Sequence, residues 1–188
     1  MNLYIDDGKP TFERRILCES SANAQITAPT SKIDITDWLY TLAEQEYINC
    51  TPRSKAHLSA GFTQTPDGRR MSINVEDIGG VLIIEHYIED ISEKLHVRVH
   101  SISDNLIGRV YTATEVVWEL IAEHQGGDDH KFTNNVWVWT TPMYDQYLEA
   151  NRIPYEQARN AYQTAVENHN AEETPFFAAS VERHALRG

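Results

Sequence analysis

Positive charge is scarce in this sequence. Sixteen lysines and arginines stand against 28 aspartates and glutamates in 188 residues, a net charge of −12 at neutral pH. Without a basic stripe, nucleic acid and anionic membrane surfaces are disfavoured as partners. Cysteine is nearly missing, and Cys18 and Cys50 have neither metal-ligand nor redox spacing. The longest apolar run, Val81 to Ile84, is far too short to cross a bilayer. The opening Met-Asn-Leu-Tyr-Ile-Asp-Asp is acidic, unlike a cationic leader, so a reducing cytoplasm is the expected compartment. Glycines form no phosphate cradle or dinucleotide fingerprint, and neither Gly-x-Ser-x-Gly nor a paired-histidine zinc motif occurs. Nucleotide chemistry and serine hydrolysis are therefore poor readings, and no cofactor is expected.

The length and a 41% hydrophobic content suit a single globular domain spanning 1–188, with residues 1–20 as a lead-in that is partly mobile. A weak strand over Ala22–Thr27 ends at Ala28-Pro29. Asp34 or Thr36 can cap a following helix, in which Ile35, Trp38, Leu39 and Leu42 recur at helical spacing through Tyr47. The period then changes to two. Strands are expected over 55–65, 70–78, 81–89, 95–102, 109–123 and 132–140, joined by short turns rich in Gly, Asp and Asn. Such connections predict an antiparallel meander. A short helix over Met143–Ala150 precedes Tyr155 to Arg187, which reads as two helices joined at Glu173-Thr174-Pro175, with Pro175 restarting the second. One face of the first carries Tyr155, Ala158, Tyr162, Ala165, Val166, His169 and Glu173.

Polar residues on otherwise apolar faces are the candidates for chemistry. His86 is the one polar member of the row Leu82, Ile84, His86, Ile88, so it is expected to point inward, as a core histidine or as a cavity base. His96, Arg98 and His100 share a face, which is either solvated or a cationic floor for an oxyanion. Glu115, Glu119 and Glu123 mark one face of the long strand as solvent-facing, turning Thr112, Thr114 and Trp118 inward. His169 and Glu173 lie one helical turn apart, where the carboxylate can orient the imidazole as a general base requires. The same pair could ligate a metal, but spacing fixes no third ligand, so no metal site is expected. An ordinary ion pair at a helix end is the alternative.

The order of strand, short helix, six antiparallel strands and long C-terminal helix resembles the helix-grip fold of the SRPBCC (START-like) superfamily. Ala24-Gln25-Ile26-Thr27-Ala28-Pro29 before the first helix, Tyr47 and Pro52 at its exit, and the paired strands around Tyr111–Leu120 and Asn134–Trp139 carry the likeness. Breaks at Pro154 and Pro175 depart from the single closing helix usual there. The resemblance implies an α+β helix-grip domain, a curved antiparallel sheet around a long C-terminal helix. It also implies a cavity for a small hydrophobic or aromatic oxygenated molecule, with polyketide cyclase or lyase-like acid/base chemistry. Under that reading His86 or His169 is the acid/base, Glu173 orients His169, Arg98 stabilises an oxyanion, and Trp118, Thr114, Tyr162 and Trp137 are walls. Three alternatives stay open: a non-catalytic carrier or sensor, an NTF2-like cone related to ring-hydroxylating oxygenase small subunits, and an oligomer or homodimer using Trp137 or Trp139 as interface.

Overall fold

The computed structural model describes residues 12–187. Seven antiparallel strands form one sheet: β1 (Ile16–Thr27), β2 (His57–Gln64), β3 (Arg70–Ile78), β4 (Val81–Glu93), β5 (His96–Ile107), β6 (Val110–Gly126) and β7 (Asp129–Thr140). Their order is β1-β7-β6-β5-β4-β3-β2, so β2 to β7 are a meander and β1 joins its far edge. Helices α1 (Ile35–Thr41) and α2 (Glu44–Ile48) connect β1 to β2, while α3 (Pro142–Ala150) and α4 (Tyr155–Leu186) follow the last strand. Helix α4 lies across the inner face of the sheet. This is the expected α+β helix-grip arrangement. No helix among the described residues is long and apolar enough to cross a membrane.

The meander follows from its turns. Ile78 pairs with Val81 across Gly79-Gly80, both at positive φ (64° and 83°), as a tight hairpin turn requires. A register shift between Glu89 and Ile91 bulges β4 against β5, and bulges of this kind bend and twist a sheet. Period-two alternation then turns Val116, Trp118 and Leu120 onto the inner face, where they are buried. Trp118, Trp38 and Tyr47 surround Phe177 of α4, with ring centroids 5.5–6.4 Å from it, and Trp38 Nε1–H donates to Ser180 Oγ at 2.8 Å.

Four details differ from the sequence-based expectation. Strand β1 begins at Ile16, because Leu17 and Cys18 are core residues, so residues 16–20 of the expected lead-in are strand, and the first 11 residues of the chain lie outside the described ones. The helix expected through Tyr47 is two helices. Asp34 caps the first, accepting from Asp37 N, and the chain is extended at Leu42 and Ala43, which lets Leu42 and Tyr47 both reach the core. The third difference is that α4 runs unbroken through Pro175. A proline there removes one backbone hydrogen bond, a cost of about 3 kcal/mol. Phe177, Ala178, Val181 and Ala185 are buried beyond it, and burying Phe177 and Val181 contributes about 1.5–3 kcal/mol each, enough to offset that loss. Finally, Glu115 lies on the outer sheet face yet is only 1% exposed, because Arg14 and His100 cover and bind it.

Candidate functional site

Between α4 and the inner sheet face lies a pocket with two ends. The wider end, a cavity of about 240 Å³, is apolar: Ile78, Ile83, Ile107, Tyr144, Leu148 and Ala161 are among its walls. Ile78, Ile83, Tyr162 and Val166 also line the second end, about 40 Å³, so the two adjoin. This deeper end is walled by Thr114, Val116, Trp118, Val136 and Val138, and its floor is ionisable: Glu76, Glu85, His169 and Glu173.

Backbone geometry brings these groups together. Glu76 of β3 and Glu85 of β4 share the inner face, since Glu76 pairs with Ile83 and Asn74 with Glu85. His169 and Glu173 descend from α4, one turn apart, and His57 enters from the start of β2. His57 Nδ1–H donates to the Tyr47 carbonyl at 2.8 Å, which aims Nε2 at Glu173 Oε2 (3.0 Å) and Glu76 Oε1 (3.6 Å). His169 Nε2 lies 3.2 Å from the same Glu173 oxygen and 3.5 Å from Glu76 Oε2. The other Glu173 oxygen accepts from Asn134 Nδ2 at 3.0 Å, and Trp118 Nε1–H donates to Asn134 Oδ1, fixing that amide. The Tyr47 hydroxyl donates to Glu76, and Tyr87 OH donates to Glu85 at 2.7 Å.

Burying five such groups has consequences for their protons. Burial alone opposes ionisation of Glu173, but His169 and the hydrogen bonds from both imidazoles outweigh it and hold the carboxyl well below its ordinary range. Burial and the neighbouring Glu76 push Glu85 well above that range, which favours its protonated form. His169 is raised to about 9 and His57 is also raised: burial favours neutral rings, and the carboxylates of Glu173 and Glu76 overcome it. The floor thus sets mutually dependent proton-binding groups beside an apolar chamber. His169 Nδ1 is buried and has no hydrogen-bond partner.

Of the residues singled out in the sequence, His169, Glu173, Thr114, Trp118 and Tyr162 meet at this pocket. His86, Arg98 and Trp137 do not. All three lie on the outer face, where His86 faces Asp104 (3.2 Å), Arg98 binds Asp90 (2.7 Å) and Trp137 Nε1–H donates to Glu19 (3.3 Å). The row containing His86 looked the more apolar of the two in β4, but Leu82, Ile84 and Ile88 are only half-buried, while Ile83, Glu85 and Tyr87 face the core. Sequence reasoning missed His57, Glu76, Glu85, Tyr47 and Asn134. Register carries the signal for two of them. Thr112 opposes Asn105, Asn105 opposes Ile83, and Ile83 opposes Glu76, so an inward Thr112 implies an inward Glu76 and, two residues along from Ile83, Glu85.

No family model matches the sequence, and no curated protein does. Among solved structures, the Zhui aromatase/cyclase of Streptomyces sp. R1128 superposes with a TM-score of 0.65 at 14% identity, over 91% of this chain and 95% of that one. A protein of Thermus thermophilus gives 0.49 at 15% identity (90% and 97% covered), and a START superfamily protein of Mycobacterium smegmatis gives 0.40 at 14% (80% and 98%). The first likeness agrees with the architecture described above: the chain has the helix-grip fold. At such identity it speaks to the fold alone.

Proposed function

We propose that this protein binds a small hydrophobic, aromatic and oxygenated molecule between α4 and the sheet, and moves protons on it in the manner of a polyketide cyclase or lyase. The observation that carries the proposal is the pairing of an apolar chamber with a buried floor of one histidine and three glutamates, His57 standing behind Glu173. Apolar walls with a few converging polar groups are what ligand pockets have in common. The likeness in fold to an aromatase/cyclase favours an aromatic, polyketide-like ligand. His169 is the acid/base that reaches the ligand, Glu173 orients it, and Trp118, Tyr162 and Thr114 form the walls.

Native mass spectrometry of protein purified from its own host tests the binding half: a retained small molecule is expected. Ala161→Phe, which fills the apolar end, should release it while leaving the fold intact. His169→Gln should retain the ligand and cut turnover about 100-fold. A retained ligand that is returned unchanged by the wild-type protein would make this a carrier. Absence of any ligand, with no binding of aromatic polyketide surrogates in titration, would sink the proposal.

A further inference from the structure

We infer that His57, Glu76 and His169 form a binding site for a single divalent transition-metal ion of the zinc type. These three residues come from β2, β3 and α4, and one donor atom of each lies within 4.8 Å of the others. Zinc-type ions hold imidazole nitrogen and carboxylate oxygen at about 2.0–2.2 Å in a tetrahedron, whose ligand atoms are then about 3.4 Å apart. The distance from Glu76 to His57 Nε2 is 3.6 Å and to His169 Nε2 is 3.5 Å. Those contacts use the two different Glu76 oxygens, and one donor atom from each of the three residues lies within 4.8 Å of the other two, so a small inward shift would bring all three onto one ion.

The surroundings support the same assignment. Ligating histidines ordinarily donate their other ring N–H to a carbonyl or carboxylate, which fixes the tautomer. His57 does this through Nδ1 to the Tyr47 carbonyl, leaving Nε2 as the ligand atom. Glu76 is held by the Tyr47 hydroxyl and Glu173 by Asn134. All three ligands are buried, and Glu173 Oε2, 3.0 Å from His57 Nε2 and 3.2 Å from His169 Nε2, is the nearest fourth donor, while Glu76 and His169 also line the pocket. The inference goes beyond the proposed function. An ion here would occupy the nitrogen lone pairs that proton transfer uses, so metal loading and acid/base turnover should exclude one another.

The test uses the full chain stripped with a chelator and titrated with Zn²⁺ or Co²⁺ alone, read by calorimetry and by the visible spectrum of the cobalt form. One ion per chain and the intense absorption of low-coordinate Co²⁺ are expected. His57→Gln, Glu76→Gln and His169→Gln should each weaken binding at least about 10-fold, and His86→Gln on the outer face should not change it. No binding, or binding that survives all three inner substitutions, overturns the site. Should an inner variant fail to fold, the wild-type cobalt spectrum still decides: six-coordinate, weakly absorbing cobalt would mean surface binding. No organic ligand is present in this experiment, so a negative result leaves the proposed function untouched.

Discussion

His57 Nε2 and Glu173 Oε2 are 3.0 Å apart inside the core, joining the first residue of β2 to the middle of α4. Each neutralises a group that could not be buried alone. Removing one partner of such a pair leaves an uncompensated charge, which costs about 3–5 kcal/mol. Glu173→Ala should therefore lower the urea midpoint strongly. Glu173→Gln, which keeps the hydrogen-bonding shape, should lower it less. Equal midpoints for the wild type and Glu173→Ala would show that the pair is not formed.

The outer face should be indifferent to ligand. His86→Gln, Arg98→Gln and Trp137→Phe remove partly exposed groups that pair only with neighbours on that face. Each is expected to change stability by no more than about 0.5 kcal/mol and ligand affinity not at all. Fluorescence titration with an aromatic probe checks this, and a loss of affinity in any of the three would place the ligand on the wrong side of the sheet.

Glu115 should make stability sensitive to acid. Burial opposes its ionisation, yet hydrogen bonds from His100 (2.9 Å) and Arg14 hold its carboxyl below the ordinary range. A lowered folded-state value contributes stability that is complete above the unfolded value, about 4.3, and is lost as pH falls through the folded one. At neutral pH, Glu115→Gln should cost about 1–3 kcal/mol. The gap between wild type and variant should close below about pH 4. A gap that widens with acid would contradict the pairing.

Gly79 and Gly80 separate two effects in one turn. Both have positive φ, where an L side chain costs about 1–2 kcal/mol, but a Cβ at Gly79 would also stand 3.1 Å from Ala165 Cβ of α4, whereas at Gly80 nothing lies within 4 Å. Thermal melts should show Gly79→Ala less stable than Gly80→Ala. Equal melts would mean that α4 does not rest on this turn.

Much of the fold was legible because it is written in local periods. Alternation along residues 70–78 gave a strand with the observed limits, and the short Gly-, Asp- and Asn-rich connections gave the meander. The site was half legible. His169 and Glu173 are neighbours on one helix, so 3.6 residues per turn reveals them. His57 and Glu76 are cross-strand partners in β2 and β3, but they meet His169 and Glu173 only where those strands pack beneath α4, which no single segment records. Face assignment failed in β4 because both of its rows carry isoleucines and each carries ionisable groups, so hydrophobicity could not choose between them. Pro175 misled for a related reason: local chemistry says stop, and burial of the residues beyond it says continue.

Strand β1 pairs only with β7, Leu17 and Cys18 sitting beside a strand that ends at Thr140. During synthesis the first strand to emerge has no sheet neighbour until the last one is made, and α4, which also packs on it, comes later still. Pairings this distant in sequence must close a long loop before they gain any contact, and such topologies fold slowly. Residues 16–27 thus wait unpaired until β7 is made, leaving Leu17, Cys18 and Ile26, which the folded protein buries, without their sheet partner in the meantime.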